Sequence, residues 1–376
     1  MPDSKIKNLP ASIRQKLLNL AQERNDDFGL VLTKYGLERM LFRLSKSKYR
    51  DKFILKGALL FELWTKERYR ATRDADFLAE GDNSPERFIR IFQEISAIEA
   101  QDDGLRFDPK TVKAERIKED ADYGGVRVTL TAFLEKAQIP IQIDIGFGDA
   151  ISPGPIVSEY PTLFDLPGPR LLTYPRETVV SEKLEAMVKL GIANSRMKDF
   201  HDLHSLSKTF EFDGEALVDA IRATFERRGT AWPDGGTPLA PEFYEDENKI
   251  KQWNAFCNKN KPRVQGIELK VLIARLSSFL LPVLRSAEGG LEFKSNGPPA
   301  MSGNPLRRNS SFPSAIQNRR GPLRCRQTSL SQSIARSNCV TTCRPSTHTE
   351  GSSVCQKPCG QIPPGEPVLL QSRFDL

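Results

Sequence analysis

Residues 70–77 read Arg-Ala-Thr-Arg-Asp-Ala-Asp-Phe, and this stretch predicts both a strand and a site. Side chains in a β-strand alternate between two faces. The polar side chains of the stretch would therefore share one face: Arg70, Thr72, Asp74 and Asp76. Two carboxylates beside an arginine suit a divalent cation and a phosphate, because Mg²⁺ usually takes one or two carboxylates plus substrate phosphates. The alternative for Asp-x-Asp alone is the solvated face of an edge strand, since the pattern is common.

The segment before this stretch predicts a strand, a glycine turn and a helix. An apolar run over residues 53–55 stops before Lys56 and Gly57, and apolar residues then recur at helical spacing over residues 58–66. Glycine lets the backbone approach a ligand closely, and a helix that begins there offers free N–H groups to a phosphate. On its own Lys-Gly-Ala is better explained by an ordinary tight turn, but its position ahead of two strand carboxylates adds weight to a phosphate site.

A later pair of strands supplies a third carboxylate. Residues 126–131 alternate between apolar and polar side chains, and a turn follows near residues 135–137. Residues 139–147 then show the clearest alternation in the chain, with Asp144 on the polar face. Two interpretations follow. Asp144 lies on the exposed face of a hairpin, or an adjacent strand brings it beside the two earlier aspartates.

Apolar residues at helical spacing predict several helices around these strands. Residues 11–47 predict two packing helices, and residues 86–98 predict a third, amphipathic one. Five prolines between residues 153 and 169 argue against a helix there and predict a loop.

Two helices after the loop carry further candidate site residues. The first covers residues 176–190 and leaves Lys183 outside its apolar face. The second begins near residue 194, and its first turns carry Asp199 and Asp202, which are neighbours three apart on one face. Their alternative role is to stabilise the start of the helix through its dipole.

The remaining helices predict an all-α C-terminal part over residues 214–227, 241–258 and 266–286. Pro282 should kink or break the last of them, because proline lacks the N–H that the helix needs. Such a part could hold an acceptor substrate beside the strands, although packing alone also explains it.

The positive charge of the chain is confined to its end. The formal net charge is +7, but residues 295–376 contain ten of the 55 basic and three of the 48 acidic residues. The rest of the chain is neutral, with 45 of each. The high overall pI is therefore weak support for nucleic-acid binding by the folded part.

The chain changes character beyond Gly289. Pro, Ser, Arg, Gln and Cys dominate and periodicity is lost, which predicts a disordered tail. A zinc site is the alternative, but the paired C-x2-C spacing is missing; its candidate ligands are Cys339, Cys343, His348, Cys355 and Cys359. Nine arginines against one lysine from Ser295 onward also suggest translated non-native reading frame or vector sequence.

Cysteine usage and hydropathy predict a cytoplasmic protein. Cys257 is the one cysteine before the tail, which suits a reducing compartment without disulfides. No apolar run reaches the roughly 18 residues of a membrane span, and the first residues contain no apolar leader segment. A Ser/His/Asp triad is not expected, because the histidines before the tail, His201 and His204, lie on the predicted helix of Asp199.

Several separated motifs, taken in order, resemble those of the AbiEii/AbiGii toxin family, over roughly residues 10–285. They read Phe53-Ile-Leu-Lys-Gly-Ala-Leu-Leu, Arg70-Ala-Thr-Arg-Asp-Ala-Asp, Gln142-Ile-Asp-Ile-Gly-Phe-Gly-Asp149, Tyr174-Pro-Arg-Glu-Thr178, Ser181-Glu-Lys-Leu-Glu-Ala186 and Asn194-Ser-Arg-Met-Lys-Asp-Phe-His-Asp-Leu203. The order of glycine turn, Asp-x-Asp strand and third aspartate also resembles nucleotidyltransferases of the DNA polymerase β type. One departure is Ala58, where the family usually has a second glycine or a serine.

The resemblance implies an α+β fold whose core is a mixed sheet flanked by helices. We expect N-terminal helices over residues 1–50, the nucleotidyltransferase core over 51–150, and a loop with helices that carry the later motifs over 151–210. A helical C-terminal domain would follow over 211–288, and the disordered tail would cover 289–376.

The resemblance also implies a function. Members of this family are toxins of type IV toxin–antitoxin or abortive-infection systems, and they resemble Mg²⁺-dependent nucleotidyltransferases that move NMP from an NTP to an RNA acceptor. A tRNA acceptor and a cognate antitoxin encoded nearby are the expected partners, and no membrane is expected. Two rivals stay open: transfer to a protein or small molecule, and binding of NTP or RNA without catalysis.

Site residues follow from the same resemblance. Asp74, Asp76 and Asp144 would hold the metal and the triphosphate, and Asp144 would also help to deprotonate the acceptor hydroxyl. Residues of the first motifs would line the phosphate site: Lys56, Gly57, Ala58, Arg70 and Thr72. Residues of the later motifs would act on the nucleotide or the acceptor: Lys183, Arg196, Lys198 and Asp199. These residue types suit nucleotidyl transfer, which needs in-line positioning and charge neutralisation more than covalent work by the protein.

Overall fold

A computed structural model describes residues 8–65, 69–100, 102–117, 124–233, 238–261, 264 and 266–289. The predicted tail, with its candidate zinc ligands and its suggested non-native origin, lies outside these residues from 290 onward. None of the described helices combines the length and the apolar character that crossing a bilayer requires.

The described strands form one mixed sheet in the order β3-β5-β6-β2-β1-β8-β7, and β4 pairs with β5. Their bounds are β1 Phe53–Lys56, β2 Asp74–Ala79, β3 Leu105–Phe107, β4 Lys113–Ile117, β5 Gly125–Leu134, β6 Ala137–Phe147, β7 Ile156–Glu159 and β8 Arg170–Thr173. At the centre, β2 runs parallel to β6 and antiparallel to β1. The predicted fold class, a mixed sheet flanked by helices, is therefore confirmed.

Helices surround this sheet and continue beyond it. Their bounds are α1 Leu9–Arg24, α2 Phe28–Lys46, α3 Leu59–Trp64, α4 Pro85–Ser96, α5 Arg176–Leu190, α6 Met197–Thr209, α7 Gly214–Arg228, α8 Pro241–Tyr244, α9 Glu247–Lys259 and α10 Leu269–Gly289. Helices α5, α6, α7, α9 and α10 pack on one another, so the described C-terminal part is helical as expected.

The core explains why β6 holds its central place. The isoleucines at 139, 141, 143 and 145 are all buried, as the alternation predicts. Helix α2 packs so closely on this face that a Cβ atom on Gly36 would lie 2.7 Å from Ile141 Cδ1. The polar residues between the isoleucines are thereby directed to the opposite face, where Asp144 lies.

The boundaries around the Asp-x-Asp motif differ from the prediction. Strand β2 begins at Asp74 rather than Arg70, and the described residues 69–73 have no regular structure. Helix α3 has six residues instead of the predicted 58–66, whose last residue lies outside the described part. Arg70 and Thr72 therefore do not belong to the strand face, and other contacts hold them in place.

Two strands lie in and just after the proline-rich segment: β7 falls within the predicted loop, and β8 falls on residues for which the sequence predicted no element. The four residues of β8 pair in parallel with β1, and the four residues of β7 pair with β8. The prolines flank these strands instead of interrupting them, so their missing N–H groups remove no ladder hydrogen bond.

Two details of the helical part also differ from the prediction. The predicted helix 241–258 is divided into α8 and α9, because Asp246 caps the start of α9 by accepting a hydrogen bond from the Lys249 backbone N–H. Pro282 does not end α10. Its ring lies on the exposed face, while the neighbouring Val283 and Leu284 are buried, so packing holds the helix together.

Candidate active site

Three aspartates meet on the polar face of two neighbouring strands. The parallel register places Asp76 beside Asp144, and Asp74 lies two residues before Asp76 on the same strand. One oxygen from each carboxylate can be chosen so that all three lie within 4.8 Å of one another. The structure therefore brings together the three carboxylates that the sequence analysis placed at one site.

Crowding of these carboxylates is visible in the electrostatics. Burial, followed by the charge of Asp74, raises the pKa of Asp76 to about 6, against the opposing effect of Lys56. Thr72 donates a hydrogen bond to Asp74 Oδ1 and so fixes that carboxylate. Three hard oxygen donors that repel one another are the donor set that a divalent cation would relieve, so the residues present fit Mg²⁺.

The glycine turn at Gly57 lies directly against Asp76, the central one of the three aspartates. Gly57 has φ +75°, in the left-handed region that favours glycine. Lys56 stands opposite Asp76 in the β1–β2 ladder, and the turn carries the chain past the aspartate side chain. Because α3 has only six residues, its dipole adds little at this point, and nearby side chains supply the positive charge.

Lys56 is held by acidic partners. Its Nζ lies 2.8 Å from Asp149 Oδ2 and 3.9 Å from Glu182 Oε2. Arg228 contacts Asp149, Glu182 and Glu185 from the other side, at 2.9, 3.3 and 2.8 Å. We call these five residues the Asp149 cluster.

The charges of the Asp149 cluster shift its titration. Burial opposes ionisation of Asp149, but Lys56 and Arg228 hold its pKa well below the usual range. Burial raises the pKa of Glu182, and the neighbouring charge of Asp149 adds to that effect. Asp149 therefore serves as the anionic centre that positions Lys56 and Arg228.

A second buried network centres on Asp202. Its carboxylate accepts hydrogen bonds from Arg70 Nε and Nη2 at 2.8 Å each and from the Tyr69 hydroxyl at 2.7 Å. Lys183 Nζ lies 2.8 Å from the same carboxylate. These partners outweigh burial and lower the pKa of Asp202 well below its ordinary value. The network ties the chain just before β2 to helices α5 and α6.

Asp199 extends this network toward the site. It accepts hydrogen bonds from Lys183 Nζ and from Arg196 Nε, both at 2.6 Å, and it is buried. Lys183 and Arg196 overcome the effect of burial and lower the pKa of Asp199. Asp199 thus orients two cations at the site, and both of its oxygens are occupied by them.

Lys198 differs from the other cations of the site. It is exposed and makes no ion pair with any described residue, yet its charge contributes to the pKa of Asp76. Lys198 is therefore well suited to bind a phosphate beside the three aspartates, because its ammonium group is not taken up by an ion pair with a described residue.

A single cavity of about 680 Å³ collects all twelve predicted site residues. This volume lies within the range of pockets that hold nucleotide-sized ligands. The cavity is also lined by residues that the sequence analysis did not assign to a site: Arg127, Asp149, Glu182, Glu185 and Arg228. Asp149, Glu182 and Glu185 lie inside the quoted motifs, so the motifs held a signal for them, whereas Arg127 and Arg228 lie outside the motifs.

Comparisons with known proteins give a family and two distant structural likenesses. The family model described as nucleotidyl transferase AbiEii toxin, type IV TA system, matches residues 39–266. The structure is similar to that of JHP933 from Helicobacter pylori, with 16% identity and a TM-score of 0.42 over 70% of this chain and 95% of that one. It is also similar to a candidate nucleotidyltransferase from H. pylori, with 16% identity and a TM-score of 0.43 over 70% and 98%. A comparison with curated proteins gave no match.

The family match spans more than half of the chain. It contains the three aspartates, the Asp149 cluster and the network centred on Asp202. It confirms the resemblance that the separated motifs indicated. The chain belongs to the AbiEii family of nucleotidyl transferase toxins of type IV toxin–antitoxin systems.

Proposed function

We propose that this protein is a Mg²⁺-dependent nucleotidyltransferase that transfers NMP from an NTP to a hydroxyl of an RNA acceptor, with tRNA as the expected acceptor. The observation that carries the proposal is the convergence of Asp74, Asp76 and Asp144, with one oxygen of each within 4.8 Å of the others, in the lining of a cavity of nucleotide size. A cluster of aspartates of this kind holds metal ions in enzymes that displace pyrophosphate.

The three aspartates would hold the metal. When bound, Mg²⁺ would neutralise phosphate charge and fix the α-phosphate for in-line attack. The protein contributes the fixed positions of the carboxylates: Asp74 through its hydrogen bond from Thr72, and Asp76 through its place in the ladder beside Lys56. In this proposal Asp144 also helps to remove the proton from the attacking hydroxyl.

Cations around the cavity would bind the triphosphate. Lys198 is the candidate for direct contact, and Lys183 and Arg196 are positioned next to it by Asp199. Gly57 and Ala58 would let the phosphates approach the backbone, because neither has a bulky side chain. Lys56 and Arg70 line the same cavity, and their ion pairs to Asp149 and Asp202 hold them in fixed positions.

The cellular setting follows from family membership. We propose that the toxin acts in the cytoplasm, where NTPs and tRNA are available, and that a cognate antitoxin encoded nearby suppresses it. Expression should arrest growth, and co-expression of the neighbouring gene should restore it.

Labelled nucleotides give the decisive experiment. Purified protein is incubated with each α-³²P-labelled NTP, Mg²⁺ and total RNA, with EDTA as the metal-free condition. Label on RNA supports the proposal, label on protein or a small molecule supports the rival acceptors, and no label at all supports binding without catalysis. Asp76→Asn should abolish the transfer. Asp219→Asn, which removes the same charge from an exposed position on α7, is the matched control.

A further inference from the structure

Arg127 is joined to the third aspartate by a two-pronged ion pair. Its Nε lies 2.8 Å from Asp144 Oδ1 and its Nη2 lies 2.8 Å from Asp144 Oδ2. The two residues stand directly opposite each other in the β5–β6 ladder. The register therefore fixes both ends of the pair, and the planar guanidinium matches the carboxylate.

This pair competes with a metal ion for Asp144. Each oxygen of Asp144 accepts a hydrogen bond from Arg127, so a positive charge already lies beside both. A dication at the same carboxylate would be repelled by that guanidinium at short range. Each oxygen keeps a second lone pair for a metal, so release of the Arg127 ion pair would strengthen cation binding by Asp144 together with Asp74 and Asp76.

The surroundings of Arg127 allow such a movement. The side chain of Arg127 is 35% exposed, whereas that of Asp144 is 12% exposed. Arg127 also lines the same cavity as the three aspartates. Gln142 Nε2 lies 3.2 Å from Asp144 Oδ2, so the aspartate keeps a neutral donor when the arginine leaves. A triphosphate entering the cavity would offer the guanidinium a second bidentate partner of higher charge.

We propose that Arg127 is a resident counter-cation of Asp144 which disfavours a bare metal ion and which exchanges to the triphosphate when a metal–nucleotide complex binds. The proposal deepens the proposed function, because it assumes that the cavity binds a metal with an NTP. It makes Arg127 a positioning residue for Asp144 and a phosphate ligand in the loaded site.

Two affinities measured on the full chain test this exchange. The first is the affinity for Mn²⁺ alone, followed by the loss of the free-ion EPR signal. The second is the affinity for a preformed complex of Mn²⁺ with each α,β-methylene NTP analogue. The variant is Arg127→Gln, and the matched control is Arg116→Gln, which removes the same charge from an exposed position on the neighbouring strand β4.

The proposal expects the two affinities of Arg127→Gln to move in opposite directions. Mn²⁺ alone should bind about ten-fold more tightly, because the competing guanidinium is gone. The metal–nucleotide complex should bind about ten-fold more weakly, because one charge-assisted hydrogen-bonding partner of the phosphates is missing. Arg116→Gln should change neither. If Arg127 has only a structural role, Arg127→Gln should weaken both affinities. If Arg127 has no role in the site, the variant should change neither affinity. Either result overturns the proposal. Absence of Mn²⁺ binding in all proteins also overturns it.

A conservative variant covers the case in which Arg127→Gln does not fold. Arg127→Lys keeps the charge without the fork, and smaller shifts of the same two signs are expected. The experiments distinguish failure of the proposed transferase function from failure of the proposed role of Arg127. Opposite shifts without any transfer of NMP would reject only the transferase activity, whereas transfer of NMP without opposite shifts would reject only the role of Arg127.

Discussion

Gly57 passes so close to Asp76 that a Cβ atom on the glycine would lie 1.9 Å from Asp76 Oδ2. The positive φ of Gly57 adds a second reason for glycine, because other residues are strained in that conformation. The turn after β1 and the central carboxylate of the site therefore form one packed unit. A side chain at position 57 would have to displace the aspartate.

The first prediction concerns Gly57→Ala. The added methyl group should push Asp76 away from the other two aspartates, abolish nucleotidyl transfer and weaken Mn²⁺ binding. The left-handed conformation should cost about 1–2 kcal/mol of unfolding free energy in addition. Activity, Mn²⁺ binding and urea denaturation measure the three effects.

Gly229→Ala is the matched control for this prediction. Gly229 also has a positive φ, +59°, but nothing lies within 4 Å of the position that its Cβ would occupy. This variant should lose stability to a similar extent and keep its activity. Equal loss of activity in both variants would show that strain, and not displacement of Asp76, explains the effect.

Much of the site was predictable because it depends on local patterns. Alternation along β6 places Asp144 on the polar face, and spacing along β2 places Asp74 and Asp76 on one face. Parallel pairing of the two strands then leaves few positions for the third carboxylate. The same patterns predict the strands with long alternating runs and the helices with clear apolar stripes.

The remainder depends on contacts between distant parts of the chain. The four-residue strand β8 has no periodicity to detect and is stabilised by pairing with β1 and β7. The partner of Arg127 is decided by the register of β5 against β6. Likewise, Lys56 finds Asp149 across 93 residues, and no local rule connects them.

The second prediction concerns Asp202, the buried centre of the network beside the site. Asp202→Asn removes a negative charge that faces Arg70 and Lys183 while keeping the shape of the side chain. Arg70 and Lys183 would then lose the buried negative charge that they share, and the unfolding free energy should fall by about 3–5 kcal/mol. Equilibrium urea denaturation measures the loss. Asp219→Asn, exposed on α7, should change it by less than about 0.5 kcal/mol; a loss as small at Asp202 would contradict the network.

The third prediction uses Glu38, a buried carboxyl on α2 that is not among the residues lining the cavity. One oxygen accepts a hydrogen bond from the Leu163 backbone N–H at 2.7 Å, and the other has no hydrogen-bond partner among the described residues. Burial raises the pKa of Glu38 from 4.5 to about 7. Between these values the folded state holds a proton that the unfolded state releases.

The sign of the pH effect follows from that difference. The contribution of Glu38 to stability is full below pH 4.5 and is lost as the pH rises through about 7, by up to about 3 kcal/mol. Glu38→Gln cannot ionise, so its stability relative to the wild type should be higher at about pH 8 than at about pH 5 by roughly that amount. Urea denaturation at the two pH values gives the comparison. The exposed Glu99→Gln should show no such change, and a constant difference for Glu38→Gln would exclude the assigned cause.

The fourth prediction separates two lysines that line the same cavity. Lys198 is exposed and has no ion pair with a described residue, so Lys198→Met should raise the KM for NTP about ten-fold and leave the unfolding free energy within about 0.5 kcal/mol. Lys56 is held between Asp149 and Glu182, so Lys56→Met leaves buried carboxylates without their cation and should lower the unfolding free energy by about 2 kcal/mol. Steady-state kinetics and urea denaturation of both variants test the contrast. An unchanged KM in Lys198→Met would remove that residue from the phosphate site, and an unchanged stability in Lys56→Met would mean that Arg228 alone satisfies the Asp149 cluster.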